Sequence, residues 1–358
     1  MKIIFVSLFL ALSLFAFQKD IFISKFVDYN STNLRNMALS FGLKSVPKNY
    51  KALKKLFDTK ENPLTKEKIR LGRRLFFETN LSKDNSIACS SCHMLTEGGD
   101  DNKATAVGFK GRINPHHLNT PTVFNAALQK SEFWDGRVEN VEEQAGGPLQ
   151  SSFEMDMTPD LVVKRLKSVA YYVHQFKKVF KNDKKPLSFK NVRYAIGAYE
   201  KTLLTRGNFD RFLDGNNSAI NKKAKMGLSI FLDVGCIRCH NGIALGGQML
   251  TRFPLKQKVA EISNGVYQSV FNSARFPFKN RGNFLGKDKM QIFKVSILRN
   301  ILQTAPYFHN GAIKSLKKAI DIMAKYELGV TLDKMQIDEI YEFFKSLNGE
   351  LVDYKIDD

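Results

Sequence analysis

The amino-acid sequence predicts an all-α protein built from two similar units. Apolar residues recur at helical spacing in several stretches, and no stretch sustains the alternation of apolar and polar residues that is typical of a strand. The sequence also repeats itself: LGRRLF at 71–76 corresponds to MGLSIF at 226–231, and both precede a Cys-x-x-Cys-His motif. A chain of 358 residues is long enough for two such units, each with its own core.

Residues 1–20 are predicted to form a secretory signal peptide. One lysine is followed by an apolar run from Ile3 to Phe17, which is short for a membrane span. An uncleaved N-terminal anchor is the alternative, because Leu14 stands where a small residue is preferred before the cleavage site. We expect residues 21–49 to form an extended N-terminal arm.

The first unit is predicted to span residues 50–204 and the second residues 223–347. In the first unit, Thr158 is a plausible N-cap, the next residue is a proline, and apolar residues follow at helical spacing. The Gly- and Asn-containing stretch 205–222 is predicted to be a linker, and residues 348–358 a C-terminal tail. Further helical stretches are TKEKIRLGRRLFF, NVRYAIGAYEKTLL, KAKMGLSIFLDVG, SLKKAIDIMAKY and TLDKMQIDEIYEFFKSL.

The formal net charge is +20, from 55 Lys and Arg residues against 35 Asp and Glu. Such a charge fits a nucleic acid, an anionic membrane surface or an acidic protein partner. Export argues against nucleic acid. The alternative is that the lysines only solvate the surface.

All four cysteines lie in the two Cys-x-x-Cys-His motifs, so none remains for a separate disulfide. Two thiols three positions apart can both reach the vinyl groups of one porphyrin, and the following imidazole then lies under the iron. Zinc is the alternative ligand, but the immediate histidine in both copies and the lack of further cysteines oppose it. We therefore expect two covalently bound c-type haems, attached at Cys89, Cys92 and His93 and at Cys236, Cys239 and His240.

Each haem iron with one histidine needs either a second protein ligand or an open face. In the second unit the candidate ligand is Met323, in SLKKAIDIMAKY. Its spacing from Leu316 and Ile320 fits an ordinary apolar helix face equally well. In the first unit no methionine has a clear claim.

Over roughly residues 65–347 the sequence resembles the bacterial dihaem cytochrome c peroxidases. The motifs that carry this resemblance are LGRRLFF, NTPTVFNA, FWDGR, EEQAGGPLQSSFEM, GCIRCHNG and LRNILQTAPYFHNG, followed by IM. The resemblance implies two cytochrome c-like domains, with a peroxidatic haem in the first and an electron-transfer haem in the second. It also implies that a periplasmic homodimer reduces hydrogen peroxide to water, with electrons from a small monohaem cytochrome c or a cupredoxin.

The resemblance also implies roles for individual residues. Met323 matches the sixth ligand of the electron-transfer haem, and Trp134 matches a tryptophan between the haems. Glu154 matches the distal acid and Gln144 the distal glutamine. A carboxylate beside an open iron could move a proton from one peroxide oxygen to the other, so that water becomes the leaving group.

A calcium site between the two domains is a further implication of the resemblance. Asn119, Thr304 and Pro306 match its ligands, which are an amide oxygen and backbone carbonyls, as suits a hard cation. The residues alone do not indicate this site, because most Asn and Thr residues in loops bind nothing.

The sequence departs from the family at one iron ligand. Many members carry a histidine in S-I-G-H-G that ligates the peroxidatic haem at rest, and here Phe109 stands at that position. His116 and His117 follow seven and eight positions later. One of the pair could replace the ligand, with His117 favoured; the haem could be permanently open; or the pair could be a feature of the loop.

Two rival functions remain open. A dihaem electron carrier without peroxidase activity would need two haems that never open, and Glu154 would then be incidental. A methylamine-utilisation-type dihaem oxidase, which acts on a partner protein, has a tyrosine where this chain has Met323.

Overall fold

The computed structural model describes residues 30–255 and 276–357, and the signal peptide or anchor predicted for residues 1–20 lies outside them. Within these ranges the protein is mainly helical, as predicted. The α-helices are α1 Ser31–Ser40, α2 Tyr50–Phe57, α3 Lys66–Phe76, α4 Val141–Gln144, α5 Gly146–Gln150, α6 Pro159–Lys167, α7 Ala170–Val179, α8 Phe189–Glu200, α9 Asn208–Leu213, α10 Lys222–Asp233, α11 Leu316–Met323 and α12 Lys334–Ser346. None of the helices in the described part of the chain is long and apolar enough to cross a membrane.

The sequence repeat corresponds to a repeated helix crossing. Helix α3 packs against α8 in the first unit, and α10 packs against α12 in the second. At Gly72 in α3, a Cβ atom would lie 1.8 Å from the carbonyl oxygen of Ala195. At Gly227 in α10, a Cβ atom would lie 1.9 Å from the carbonyl oxygen of Glu339. The glycine of LGRRLF and the glycine of MGLSIF therefore serve the same purpose, which is to let two helices approach closely.

The predicted N-cap at Thr158 is confirmed, because its side chain accepts a hydrogen bond from the backbone N–H of Leu161 and Pro159 begins the helix. The long helix expected after it is instead two helices, α6 and α7. They are separated by Ser168, which caps the end of α6, and Val169, which has extended backbone angles.

The described residues include four short strands that were not predicted. Strand β1 Thr205–Gly207 pairs antiparallel with β4 Gly349–Leu351, and β2 Leu250–Arg252 pairs antiparallel with β3 Ile292–Lys294. Each strand has three residues, which is too short for an alternating pattern to be visible in the sequence. The predicted linker 205–222 therefore contains a strand and helix α9, and the predicted tail 348–358 contains the partner strand.

We had expected residues 21–49 to form an extended arm, but the described part of this segment contains helix α1. Asn30 caps helix α1, and Leu34, Met37 and the buried Ala38 pack against the core of the second unit. Asn30 supplies the side-chain acceptor for the first turn of the helix, and apolar residues spaced three and four positions apart supply its buried face.

The C-terminal segment, which follows the second unit in sequence, packs on the first unit. Tyr354 is buried in a cluster with Leu53, Ile69 and Leu204 of the first unit, and its hydroxyl donates to the carbonyl oxygen of Pro47 at 2.8 Å. Arg70 of α3 donates to the carbonyl oxygen of Ile356. Each end of the described chain thus packs on the unit that is distant from it in sequence.

Candidate functional site

The first Cys-x-x-Cys-His motif begins with a short 3₁₀ turn, Cys89–Ser91. Neither cysteine is in a disulfide, and burial raises the pKa of Cys89 to about 12 and that of Cys92 to about 11. Nδ1 of His93 lies 3.2 Å from the carbonyl oxygen of Gly99, and burial lowers the pKa of His93. A neutral imidazole held through Nδ1 leaves Nε2 for an iron, as in metal sites whose ligands are oriented by a backbone carbonyl.

The second motif repeats this arrangement. Its turn is Cys236–Arg238, its cysteines are free, and Nδ1 of His240 lies 3.3 Å from the carbonyl oxygen of Leu245. Burial lowers the pKa of His240 to about 4, so the imidazole is neutral at pH 7. The two motifs are therefore equivalent in geometry as well as in sequence.

A mainly apolar cavity lies beside the second motif. Met323 ends helix α11 on the wall of this cavity, and one turn of π-helix, Ala324–Leu328, follows it. The residues that line the cavity on the second-unit side include Cys236, Cys239, His240, Leu298, Ile320, Met323 and Phe344. Two thiols, a neutral imidazole and a thioether around an apolar space are the donors that a covalently attached haem with His/Met ligation requires, so these residues fit that group.

Near the first motif, the structure brings Glu154, Phe109 and Cys92 together. The backbone N–H of Phe109 donates to the carbonyl oxygen of Glu154 at 3.0 Å, and the charge of Glu154 contributes to the raised pKa of Cys92. Burial raises the pKa of Glu154, while the positive charge of Arg137 acts in the opposite direction. Phe109 is 1% exposed, so an apolar ring fills the position that matches the missing histidine ligand.

Gln144 is the half-buried last residue of α4. Glu142, in the same four-residue helix, anchors the helix to the rest of the first unit. The Glu142 carboxylate accepts hydrogen bonds from Lys201 Nζ at 2.5 Å and from Asn62 Nδ2 at 2.7 Å, and all three side chains are buried. A helix this short is not stable by itself, so the buried ion pair fixes where Gln144 lies.

Trp134 lies where the two units meet. Its indole Nε1 donates to the carbonyl oxygen of Asn119 at 2.9 Å, and its carbonyl oxygen accepts from the backbone N–H of Lys294 in strand β3. The Trp134 ring lies 6.4 Å from the ring of His309, centroid to centroid. The buried His309 is stacked on Phe293 and its Nε2 lies 2.9 Å from Oδ1 of Asn280, so it has the hydrogen-bonding environment of a structural residue.

The three residues expected to bind calcium, Asn119, Thr304 and Pro306, lie on the wall of the same cavity. The Asn119 amide nitrogen donates to the carbonyl oxygen of Lys103 at 2.7 Å, which leaves its amide oxygen for another partner. Within residues 30–255 and 276–357, no group of three or more His, Cys, Asp or Glu side chains is arranged to hold a metal ion. The oxygens of the three expected ligands are neutral, and calcium accepts neutral oxygens.

His116 and His117 lie on a loop closed by the backbone hydrogen bond from Ala106 to Leu118. The imidazole of the exposed His116 lies 5.7 Å from the ring of Phe284 in the second unit. His117 has a φ of 49°, an unusual backbone conformation for a histidine.

Sequence reasoning missed several buried carboxyl groups, and two of them are Glu200 and Asp100. Glu200 is 6% exposed, its charge acts on Cys89, and burial raises its pKa well above 4.5. Asp100 is 1% exposed, and burial raises its pKa to about 7. The pattern around Glu200, a single acid in an otherwise apolar helix end, is the only signal that could have indicated its burial.

Comparison with known proteins agrees with this arrangement. Residues 66–218 match the family model described as di-haem cytochrome c peroxidase. The chain is 39% identical to the cytochrome c551 peroxidase of Pseudomonas aeruginosa, over 80% of each chain. It is 35% identical to the enzyme of the same name from Nitrosomonas europaea, over 82% of this chain and 84% of the relative. It is also 33% identical to the methylamine utilization protein MauG of Methylorubrum extorquens, over 73% of this chain and 70% of that one.

Solved structures support the fold. A MauG-like protein associated with microbial copper homeostasis superposes with a TM-score of 0.68 at 22% identity, over 88% of this chain and 95% of that one. The diheme peroxidase BthA from Burkholderia thailandensis superposes with a TM-score of 0.60 at 15% identity, over 80% and 86%. At these identities the likeness concerns the fold alone. From the motifs, the family model and the relatives above 30% identity, we conclude that the chain belongs to the di-haem cytochrome c peroxidase family of enzymes.

Proposed function

We propose that this enzyme reduces hydrogen peroxide to water in the periplasm, using electrons from a small monohaem cytochrome c or a cupredoxin. The observation that carries the proposal is the difference between the two units. The first has a half-buried carboxyl group, Glu154, near the Cys-x-x-Cys-His motif that contains His93, and the second combines His240 with a thioether, Met323. An acid–base group beside one haem and a second axial ligand for the other suit a division into a reactive centre and an electron-transfer centre.

Each unit would hold one haem c through thioether bonds to its two cysteines, with His93 and His240 as proximal ligands and Met323 as the sixth ligand in the second unit. Bound in this way, an iron open on one face supplies peroxide chemistry and an iron held by His and Met supplies electron transfer. The chain's own contribution is to keep both imidazoles neutral, by burial, and oriented, by the carbonyl oxygens of Gly99 and Leu245.

Glu154 would move the proton. The overall reaction takes H2O2, two electrons and two protons to two waters, and one oxygen must leave as water rather than as hydroxide. Burial raises the pKa of Glu154, so this carboxylate is a stronger base than an exposed one. The Gln144 amide, fixed through Glu142 and Lys201, would orient the substrate by hydrogen bonding.

Trp134 and calcium would act between the units. Trp134 is hydrogen bonded to Asn119 and Lys294, and we propose that it lies between the haems and supports electron transfer from the second unit to the first. Calcium held by Asn119, Thr304 and Pro306 would join the units at the same place, which would fix the distance between the two centres.

The strongest rival within the family is a MauG-type activity on a partner protein, because relatives of that name match over 70% or more of this chain. Met323 argues against it, since the expected electron-transfer ligand of that class is a tyrosine. Replacing Met323 with Tyr should lower the potential of the second haem and slow turnover with a reduced cytochrome. If turnover is unaffected, the role of Met323 as sixth ligand is wrong.

The decisive experiment starts from purified protein that contains two c haems by the pyridine-haemochrome assay. Optical and spin-resonance spectra of the all-ferric and half-reduced forms are recorded, and peroxide is then added with a reduced monohaem cytochrome. We expect one low-spin haem with His/Met ligation and stoichiometric water formation. Two low-spin haems that never change, with no turnover, would instead indicate a dihaem electron carrier. A colourless protein that binds zinc would refute haem attachment.

The net charge of +20 supports an acidic electron donor, and steering of that donor should weaken as salt is added. The rate of electron uptake at low donor concentration, measured between low and high ionic strength, tests this.

The homodimer that we propose is tested by light scattering of the haem-loaded protein.

A further inference from the structure

The loop at residues 98–104 lies between the two units. On the side of the first unit, Thr122 Oγ1 donates to the carbonyl oxygen of Gly98 at 2.6 Å, and Asn119 Nδ2 donates to that of Lys103. On the side of the second unit, a Cβ atom added to Gly98 would lie 2.7 Å from Cβ of Gln303, so these backbones are in close contact. The loop therefore contacts Asn119, a predicted calcium ligand in the first unit. It also contacts Gln303, which directly precedes the predicted ligand Thr304 in the second unit.

Asp100 is at the centre of this loop and carries an unsatisfied oxygen. It is 1% exposed; its Oδ1 accepts from the backbone N–H of Asn102 at 3.0 Å, but Oδ2 has no hydrogen-bond partner. Thr120, 6% exposed, has an unpartnered Oγ1 as well. Both residues line the cavity that Asn119 and Thr304 also line. Two unpaired buried oxygens on one wall are costly unless something binds them.

We propose that Asp100 is the anionic ligand of a divalent cation, Ca²⁺, bound between the units, with the Thr120 hydroxyl as a further oxygen near it. This inference rests on the interdomain calcium site of the proposed function, and it adds a charged ligand from this chain that the resemblance does not assign. Calcium takes six to eight oxygen ligands in flexible geometry, and its affinity rises with the number of carboxylates. A carboxylate in a site otherwise made of neutral oxygens would therefore dominate the binding free energy.

The chain offers a matched control beside Asp100. Asp101 is 5% exposed, its Oδ1 also accepts from the backbone, from the N–H of Lys103, and its Oδ2 is also unpartnered. Asp101, however, is not among the residues that line the cavity, and its charge acts on Cys92 and His93 instead. Replacing either residue by Asn removes one buried charge at nearly the same depth.

The experiment titrates Ca²⁺ into chelator-treated holoenzyme by calorimetry, with haem content checked for each variant. We expect Asp100→Asn to weaken Ca²⁺ binding by about tenfold or more, and Asp101→Asn to change it by less than about twofold. Equal binding by Asp100→Asn and the wild type would overturn the proposal, as would equal losses in the two variants.

If Asp100→Asn does not retain both haems, the Thr120→Val variant is titrated in its place. This change removes the unpartnered hydroxyl and keeps the shape of the side chain. A loss of about threefold in Ca²⁺ affinity supports the site, and unchanged affinity overturns it. Peroxide turnover is measured on the same samples: a wild type that turns over but takes up no Ca²⁺ refutes the cation site and leaves the peroxidase proposal intact.

Discussion

The indole Nε1 of Trp134 donates a hydrogen bond of 2.9 Å to the carbonyl oxygen of Asn119. The same Asn119 donates its backbone N–H to the carbonyl oxygen of His309, in the second unit. A single residue thus connects the tryptophan of the first unit to a buried histidine of the second. The only tryptophan of the chain is thereby fixed at the contact between the units.

Replacing Trp134 with Phe should slow electron transfer between the units. The change keeps an aromatic ring but removes the Nε1 donor, so the hydrogen bond to Asn119 is lost and the ring is less well fixed. We expect the rate at which peroxide reoxidises the pre-reduced second haem to fall by about tenfold, or about 1.4 kcal/mol in activation free energy. Stopped-flow spectroscopy measures this rate; unchanged haem content is the control, and an unchanged rate would refute the role.

Replacing Glu154 with Gln should remove proton transfer while leaving both haems attached. Turnover should fall by about 10²- to 10⁴-fold, the usual contribution of a general acid–base group. Because burial raises the pKa of Glu154 and the base must be ionised, wild-type activity should decline as the pH falls through that raised pKa. The exposed Glu139, replaced by Gln, is the matched control; if the two variants keep equal activity, Glu154 has no catalytic role.

The two adjacent histidines should differ in their effect on the first haem. His116 is exposed and lies against Phe284, so it is already engaged with the second unit. We therefore expect His117→Ala, and not His116→Ala, to convert the oxidised first haem from low spin to high spin. Spin-resonance spectra of the ferric variants measure this. A high-spin haem already present in the wild type would mean that the site is permanently open.

Glu200 should make stability depend on pH. A carboxyl group whose pKa is raised in the folded state favours the folded state only when protonated, so stability falls as the pH rises above the unfolded value of about 4.5. Relative to Glu200→Gln, the wild type should lose about 1.4 kcal/mol for each pH unit until Glu200 ionises in the folded protein. Denaturant unfolding between pH 4.5 and 8 measures the difference, and the exposed Glu61, replaced by Gln, should give none.

The sequence is sufficient for those features that depend on local spacing. The two Cys-x-x-Cys-His motifs, the N-cap at Thr158 and the helical class follow from residues close together in the chain. The repeated glycines, Gly72 and Gly227, were visible within the repeat, although their reason, a close helix crossing, was not.

Features that depend on distant contacts could not be predicted. Strand β1 exists because residues 349–351 return to it, and three residues carry too little pattern to show this. Asp100 lies in a polar loop sequence and would ordinarily be exposed. It is buried in a loop whose Gly98 and Lys103 contact Gln303 and Asn119, which are distant in the chain. Of the site residues carried over by resemblance, Glu154 lies near Cys92 of the first motif, and those on the cavity wall are Trp134, Met323, Asn119, Thr304 and Pro306.

The crossing of the two chain ends has a consequence for the order of folding. Tyr354 completes the core of the first unit, although a further complete unit is synthesised before it. Contacts of such long sequence separation form late, because the intervening chain must be ordered first. The first unit would therefore remain loosely closed until the segment that carries Tyr354 packs against it.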